Sequence, residues 1–447
     1  MIARPVPGAR RTPREKKPVQ HLIAAVLVAA AYFALAAVSY AVAYSPADAW
    51  TVWLASGVVV GPLLAASRAR WPGVLAGGFA GAAAFSLFLG SPPLHALGYG
   101  AIELIASAAA ALVVAKVVAL PLTLHRPREL VALVLGGAAA SALTGAALAT
   151  AWHVADGGTE AGATFRVWAL SNFLGMLLVA PVIVAWARLT LRRSGGMTMP
   201  AFAAGAVACA LFLGTMWMLF DAKPGTRFGA SAGETLTYVP ILFMALVALL
   251  WGTRGATLAA FVGALIAVVN TAQQEGPFVG AAGFLGDDEF EVQAYALAIA
   301  LTGLLIAVLA AAQRDAMRAA REWKTRFEAA IGAHRLLAYE WDPASGRIVV
   351  TGDAAGLVGV PAAAIGSLAD WLAVVAAADR ERVSARFDER VRGRGDADVL
   401  TYLVSGAGGA PAAATDEARA IRDHDGTLHR VVGIVRVAPA AAAGGAA

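Results

Sequence analysis

The sequence predicts a polytopic bundle of about ten transmembrane α-helices followed by a small cytoplasmic domain of mixed α and β structure. Three observations predict it. Separable apolar stretches fill the chain as far as Ala312 and then cease. Hydrophobic residues make up 59% of the chain and charged residues only 15%, with a mean hydropathy of +0.68, far from the balance of a soluble domain. From Gln313 onward the pattern is that of an ordinary soluble polypeptide.

A helix needs about 20 apolar residues to cross a hydrocarbon core roughly 30 Å thick. Stretches of that order run near 22–44, 52–66, 73–90, 97–119, 130–152, 167–187, 201–220, 237–251, 256–272 and 292–312, the second and eighth being short. They are expected to be helical because lipid offers backbone groups no hydrogen-bond partner. A basic segment, 1–20, precedes them with Arg4, Arg10, Arg11, Arg14, Lys16 and Lys17. Its apolar sequel is too long, and lacks the small-residue site, for a cleavable signal. Alternate loops carry Arg68 and Arg70, Arg126 and Arg128, Arg188, Arg192 and Arg193, then Arg254, whereas the others hold Arg166, Lys223 and Arg227 and the acidic run Asp287, Asp288, Glu289 and Glu291. The positive-inside rule therefore places both termini in the cytoplasm, as an even number of spans requires. The net charge of +5 is distributed by loop, not gathered on one face, so nucleic acid is not an expected partner.

Cys209 is the single cysteine, which excludes a disulfide framework or a cysteine metal site within one chain. Gly57 and Gly61, and the line Gly73, Gly77 and Gly81, bring small residues to helix faces. Such spacing lets helices approach closely, either inside one subunit or across a homodimer. Ionisable groups at membrane depth carry more information, since a charge at the centre of a span costs about 2.5–3.5 kcal/mol on insertion scales. Glu103 in the fourth span is the clear case, and Asn172 lies about as deep in the sixth, beside Trp168 and after Arg166 at the outer boundary. This polar set has two readings: ligand contact or signal relay, and structural hydrogen bonding between helices.

Several motifs then fall in order: Trp53-Leu-Ala-Ser-Gly57, an arginine-containing loop with Pro72-Gly73, the Glu103 helix, Trp168-Ala-Leu-Ser-Asn-Phe-Leu-Gly-Met-Leu-Leu-Val-Ala-Pro181, Trp251-Gly-Thr-Arg-Gly255 and Gln274-Glu-Gly-Pro-Phe278. Together they resemble the membrane-associated sensor domain MASE1 of bacterial signalling proteins, over about residues 20–312. The resemblance implies a multi-pass domain of the bacterial inner membrane, in contact with lipid, and adds Trp53 to the candidate ligand or relay residues. Where the resemblance leads one to expect an acid in the sixth-span motif, this chain has Asn172, which hydrogen-bonds but carries no charge.

Beyond the last span, Leu309, Ala316, Ala320, Trp323, Phe327 and Ala330 recur at alternating three and four spacing. A signalling helix over 313–332 with that seam forms a two-stranded coiled coil or packs on its own domain. From Arg335 the reading is mixed α and β: strands within Leu336 to Val350 about the turn Asp342-Pro-Ala-Ser-Gly346, a helix begun by Ser367, another capped by Asp379 with Val383, Phe387 and Val391 on one face, and strands over 399–404, 412–422 and 427–437. Residues 406–414 read as a loose alanine and glycine insertion, and 439–447 as a low-complexity tail. Glu340-Trp341-Asp342 with Gly346, Asp370-Trp371-Leu372, Asp379-Arg380 and Asp425-Gly426-Thr427 resemble a PAS domain over 333–438. That resemblance implies haem, flavin, a metabolite or no ligand at all, so the cofactor is unknown. No cysteine is placed for a flavin adduct, and the soluble histidines are His334, His424 and His429.

Gly286-Asp-Asp-Glu-Phe290 imitates a cyclase signature but falls in an outer loop. No phosphoacceptor histidine with a following nucleotide-binding domain, P-loop, serine triad or metal-spaced histidine set is present. The expectation is a membrane sensor and relay that forms a homodimer and acts on a downstream signalling protein in trans. The alternatives are the input half of a longer histidine kinase or diguanylate cyclase, and a small-solute transporter with a regulatory tail.

Overall fold

A computed structural model of the chain describes residues 16–42, 51–187, 198–221, 236–279, 287–392, 397–406 and 409–438. It divides into two compact units, Met1–Asp315 and Ala316–Ala447.

The first unit is helical: α1 Lys16–Val42, α2 Ala55–Ala65, α3 Trp71–Phe88, α4 Pro93–Val117, α5 Pro127–Ala155, α6 Ala161–Trp186, α7 Met199–Phe220 and α8 Val239–Ala272. Helix α9, Asp287–Ala333, begins in the first unit and ends in the second. Among the described residues eight helices are long and apolar enough to cross a membrane, where the sequence suggested about ten segments. Two features account for the difference. Helix α2 has 11 residues, about 16 Å at 1.5 Å per residue, well short of a bilayer core. The segments expected at 237–251 and 256–272 both lie in α8, where Gly252 takes φ 64 and ψ −157 and divides the element into two helical parts. That region of backbone space is essentially closed to residues with a Cβ, so the break is written into Trp251-Gly-Thr-Arg-Gly255.

The glycine lines are consumed inside the unit. A Cβ on Gly73 or Gly77 would sit 2.5 Å from the carbonyl oxygen of His21 or Ala25, so α3 lies directly against α1. A Cβ on Gly57 would meet Val179 Cβ at 2.6 Å, and one on Gly175 would meet the Trp53 carbonyl oxygen at 1.9 Å, so α2 and its leading segment lie against α6. Close backbone approach replaces the hydrophobic drive that lipid removes.

The second unit carries a five-stranded sheet in the order β2-β1-β5-β4-β3. Its strands are β1 Leu336–Trp341, β2 Ile348–Thr351, β3 Ala397–Ser405, β4 Pro411–Arg422 and β5 Leu428–Val437, all paired antiparallel. Three short helices lie between β2 and β3: α10 Ala354–Val358, α11 Leu368–Val374 and α12 Arg380–Val391. Alternate residues of β1 are buried, placing Leu337, Tyr339 and Trp341 in one core with Trp371, Phe387 and Val435. Ser367 closes a capping box with Asp370 at the start of α11. Residues 411–414 are not a loose insertion: Pro411 pairs with Ser405, and Ala412 and Ala414 are buried. Alanine is a weak strand former, but strand preference follows packing more than composition.

Two further expectations are corrected. Asp379 stands before α12 but does not cap it, because its backbone is already αR. Its carboxylate instead accepts from the Leu403 N–H at 2.8 Å and from Arg382 at 2.6 Å, tying α12 to β3. On α12 the buried line is Val383, Phe387 and Arg390, while Val391 is 49% exposed. At 3.6 residues per turn, the position two turns beyond Val383 is the arginine, not the following valine.

Four carboxyls at the surface of this unit, Asp370 and Asp425 exposed and Asp342 and Asp379 half-buried, lie below the ordinary carboxylate range. Hydrogen bonds from Ser345 to Asp342, from Ser367 to Asp370, from Arg382 to Asp379 and from Thr427 to Asp425 are the leading causes. A depressed carboxyl contributes stability that is present above its unfolded value, 3.8, and lost as pH falls through the folded value. The proteolytic resistance of the C-terminal unit is therefore expected to hold near neutrality and to fall from about pH 4 downward. Equal resistance at pH 3 and pH 6 would contradict this.

Candidate functional site

The segment before α2 and the helices α1, α3, α4 and α6 enclose a cavity of about 220 Å³. Glu103 lies roughly 15 Å along α4 at 1.5 Å per residue and is 9% exposed. Ser107, one turn further on, donates its hydroxyl to Glu103 Oε1 at 2.6 Å, and Tyr32 of α1 donates to Oε2 at 3.3 Å. Trp53 Nε1 donates in turn to Tyr32 Oη at 3.3 Å. An indole, a phenol and a carboxylate thus form one chain across three elements. Among the described residues no lysine, arginine or histidine pairs with Glu103.

Asn172 of α6 lines the same cavity and is buried, but its amide nitrogen donates to the Trp168 carbonyl of its own helix at 2.8 Å. Trp168 stacks on Tyr99 of α4, ring centres 5.9 Å apart and planes at 10°. Phe85 of α3 meets Trp53 edge to face at 5.8 Å. Ser86, also on the wall, has a buried hydroxyl with no hydrogen-bond partner among the described residues. The backbone around the site is fixed by Trp53 N–H donating to the Ser171 carbonyl at 3.0 Å and by Ser56 Oγ donating to the Trp53 carbonyl at 2.9 Å. Two residues before Trp53, the Thr51 carbonyl accepts from Gln293 Nε2 of α9 at 2.8 Å. The wall is therefore wired to the helix that enters both units.

The family model of MASE1 matches residues 24–314. The chain belongs to the MASE1 family. It is a multi-pass membrane protein with a membrane sensor role, and the cavity lies within the matched region. No curated protein matches the chain. Among solved structures it is similar to the N-terminal domain of a diguanylate cyclase with PAS/PAC sensor from Marinobacter aquaeolei, at 17% identity, 22% of this chain, 92% of that chain and a TM-score of 0.21. It is also similar to a sensory box histidine kinase/response regulator from Burkholderia thailandensis, at 18% identity, 25% of this chain, 83% of that chain and a TM-score of 0.22.

Of the residues singled out from the sequence, Trp53, Glu103, Trp168 and Asn172 are brought together at the cavity of the MASE1 domain, and Arg166 is not: it is exposed on α6. Sequence reasoning missed Tyr32, Ser86 and Ser107. Ser107 was open to detection, because it follows Glu103 by one helical turn on the same face. Tyr32 and Ser86 sit in apolar runs with no local signal, and only the packing of α1 and α3 against α4 brings them to the site.

In the second unit, Ala316, Ala320 and Trp323 of α9 are exposed, and Phe327 is half-buried with its ring stacked on Trp323 at 5.2 Å. A groove of about 640 Å³ runs between these two rings and the outer sheet face at Val349, Val399 and Ile434. His334, His424 and His429 are all exposed. No cluster of histidine, cysteine and acidic side chains suited to a metal ion occurs among the described residues. Of the cyclase-like run, Gly286 lies outside the described residues and α9 begins at Asp287.

Proposed function

We propose that the MASE1 domain senses a stimulus at the Glu103 cavity and relays it through α9 to a PAS-like domain over 333–438 and onward to a signalling partner in trans. The observation that carries this reading is the double attachment of the Trp53 segment. Trp53 is hydrogen-bonded to the Tyr32–Glu103 pair, and Thr51 beside it is held by Gln293 of α9. A ligand that favours one arrangement of the wall therefore biases α9 directly, which is a population shift between two packings. Where α9 leaves the bundle, Arg314 donates to the Leu249 carbonyl at 3.3 Å and Asp315 lies 4.0 Å from His125, so its exit also answers to α8 and the loop before α5.

The PAS-like reading is supported by the order of elements, two strands, short helices and three strands in one antiparallel sheet. Arg68, Arg70 and Arg126 lie between helices, Arg128 in the first turn of α5 and Arg254 just beyond the Gly252 break of α8, all away from the cavity end, and they favour both termini in the cytoplasm of a bacterial inner membrane, with the cavity towards the outer side.

The relay is tested by single cysteines over 316–327 in a Cys209→Ser background, in native membranes. Crosslinks between two copies are expected to peak at Ala316, Ala320, Trp323 and Phe327, and a partner is expected to co-purify with the full chain but not with a chain ending at Ala312. A flat crosslinking profile together with partner recovery independent of residues 313–447 would sink the proposal.

A further inference from the structure

We propose that the Glu103 cavity is a binding site for a small monovalent organic cation, an ammonium head carrying alkyl groups. The site deepens the sensor reading, but its binding chemistry rests on the cavity alone. Its wall presents one carboxylate and five aromatic side chains, Tyr32, Trp53, Phe85, Tyr99 and Trp168. Glu103 is the single charged residue on that wall and finds no cationic partner among the described residues. A buried carboxylate without a countercharge is costly in a span and is retained where something answers it.

The aromatic lining decides what kind of cation answers it. Rings attract an alkylammonium through their negative faces, and such cages serve quaternary and alkylated ammonium ligands. A hard divalent ion needs six or more oxygen ligands, and one carboxylate among five rings does not supply them. Anions are disfavoured by the same charge. Asn172, neutral and turned to its own helix backbone, keeps the wall at one formal negative charge and so sets the valence of the ligand at one. The unpartnered Ser86 hydroxyl and the Asn172 carboxamide oxygen, to which no described residue donates, leave hydrogen-bonding capacity for a polar group on the ligand. The cavity is larger than a single water requires and has room for an ammonium with short substituents. The source is a free solute or the amine of a lipid headgroup, because the cavity lies at the ends of α3, α4 and α6.

The full chain is titrated with choline in phosphatidylglycerol nanodiscs, read by calorimetry and tryptophan emission, against 3,3-dimethyl-1-butanol, the uncharged carbon isostere of choline. Choline is expected to bind, and the isostere to bind roughly tenfold or more weakly. Glu103→Gln is expected to lose at least about tenfold in affinity. Tyr99→Leu is expected to lose affinity and Tyr99→Phe to keep it, a pair at a half-buried position that holds the test open if the Glu103 variant fails to fold. Repeating the titration in discs containing phosphatidylethanolamine separates the sources: weaker apparent choline affinity there assigns the site to a headgroup, and unchanged affinity assigns it to a free solute. Equal binding of choline and its isostere, unchanged affinity in Glu103→Gln, or no response above that of empty discs overturns the cation site. Choline binding with no change in α9 crosslinking leaves the site standing and removes the sensor coupling.

Discussion

Replacing Asp416 by alanine is expected to unfold the C-terminal unit of the chain while leaving the membrane unit intact. Asp416 is 1% exposed on β4, and its carboxylate accepts from Tyr339 at 3.2 Å and from Tyr402 at 3.4 Å. Burial first, and then the Asp416 charge, push both phenols above their ordinary range, so they remain O–H donors at any physiological pH. Arg390, also 1% exposed, acts on Tyr339 through its charge and a hydrogen bond, and its Nε and Nη2 find no partner among the described residues. The alanine variant would leave two buried hydroxyls without an acceptor and a buried guanidinium without the nearby negative charge. Removing one member of such a buried charged set costs roughly 3–5 kcal/mol, a large share of the roughly 5–15 kcal/mol that holds a domain folded. Tyr402→Phe, which removes one long hydrogen bond and exposes no charge, is expected to cost about 1 kcal/mol. Limited proteolysis of residues 336–437 in the full chain over a urea series separates the two, and wild-type resistance in Asp416→Ala would refute the account.

The second large effect is expected at Gly175. A Cβ there would stand 1.9 Å from the Trp53 carbonyl oxygen and 3.0 Å from the Leu54 nitrogen. Both neighbours are backbone, so no side chain can rotate away; the segment before α2 has to move. That displacement is expected to pull Trp53 from Tyr32 and Thr51 from Gln293, the two attachments on which the proposed relay depends. Overpacking costs roughly 1–3 kcal/mol where side chains can yield, and Gly175→Ala is expected at or above the upper end. Gly162→Ala in the same helix, where an added Cβ meets nothing within 4 Å, is expected to be neutral or slightly stabilising. Thermal unfolding of the two variants in detergent should separate clearly. A Gly175→Ala midpoint equal to that of Gly162→Ala would show that the contact between α2 and α6 is loose.

The two variants also mark what could be read without coordinates. The helix start at Ser367, the Asp425-Gly426 turn and the apolar segments were legible because each is a local rule acting over a few residues. Gly57 and Gly61 were legible as a close-approach face, but their partner, α6, was not. Arg390 was missed because an arginine on an amphipathic helix ordinarily faces water, and only the sheet beneath α12 turns it inward. Asp416 escaped for the same reason in strand form: it sits in an alternating run, Pro411 to Arg422, whose buried face is otherwise alanine.

By itself the sequence determined that this chain joins a helical membrane domain to a unit of mixed α and β structure, and that Glu103 and Asn172 stand within apolar segments. Hydrophobicity, charge by loop and turn chemistry act locally, so they are written in the order of residues. Only the tertiary structure decided that Glu103 is hydrogen-bonded by Tyr32 and Ser107, that Arg166 stays outside, and that the segment of Thr51 and Trp53 joins the cavity to α9. Those outcomes depend on which helices pack together, and packing in lipid is set by small residues and shape, which contribute as pairs of surfaces and leave no mark on either surface read alone.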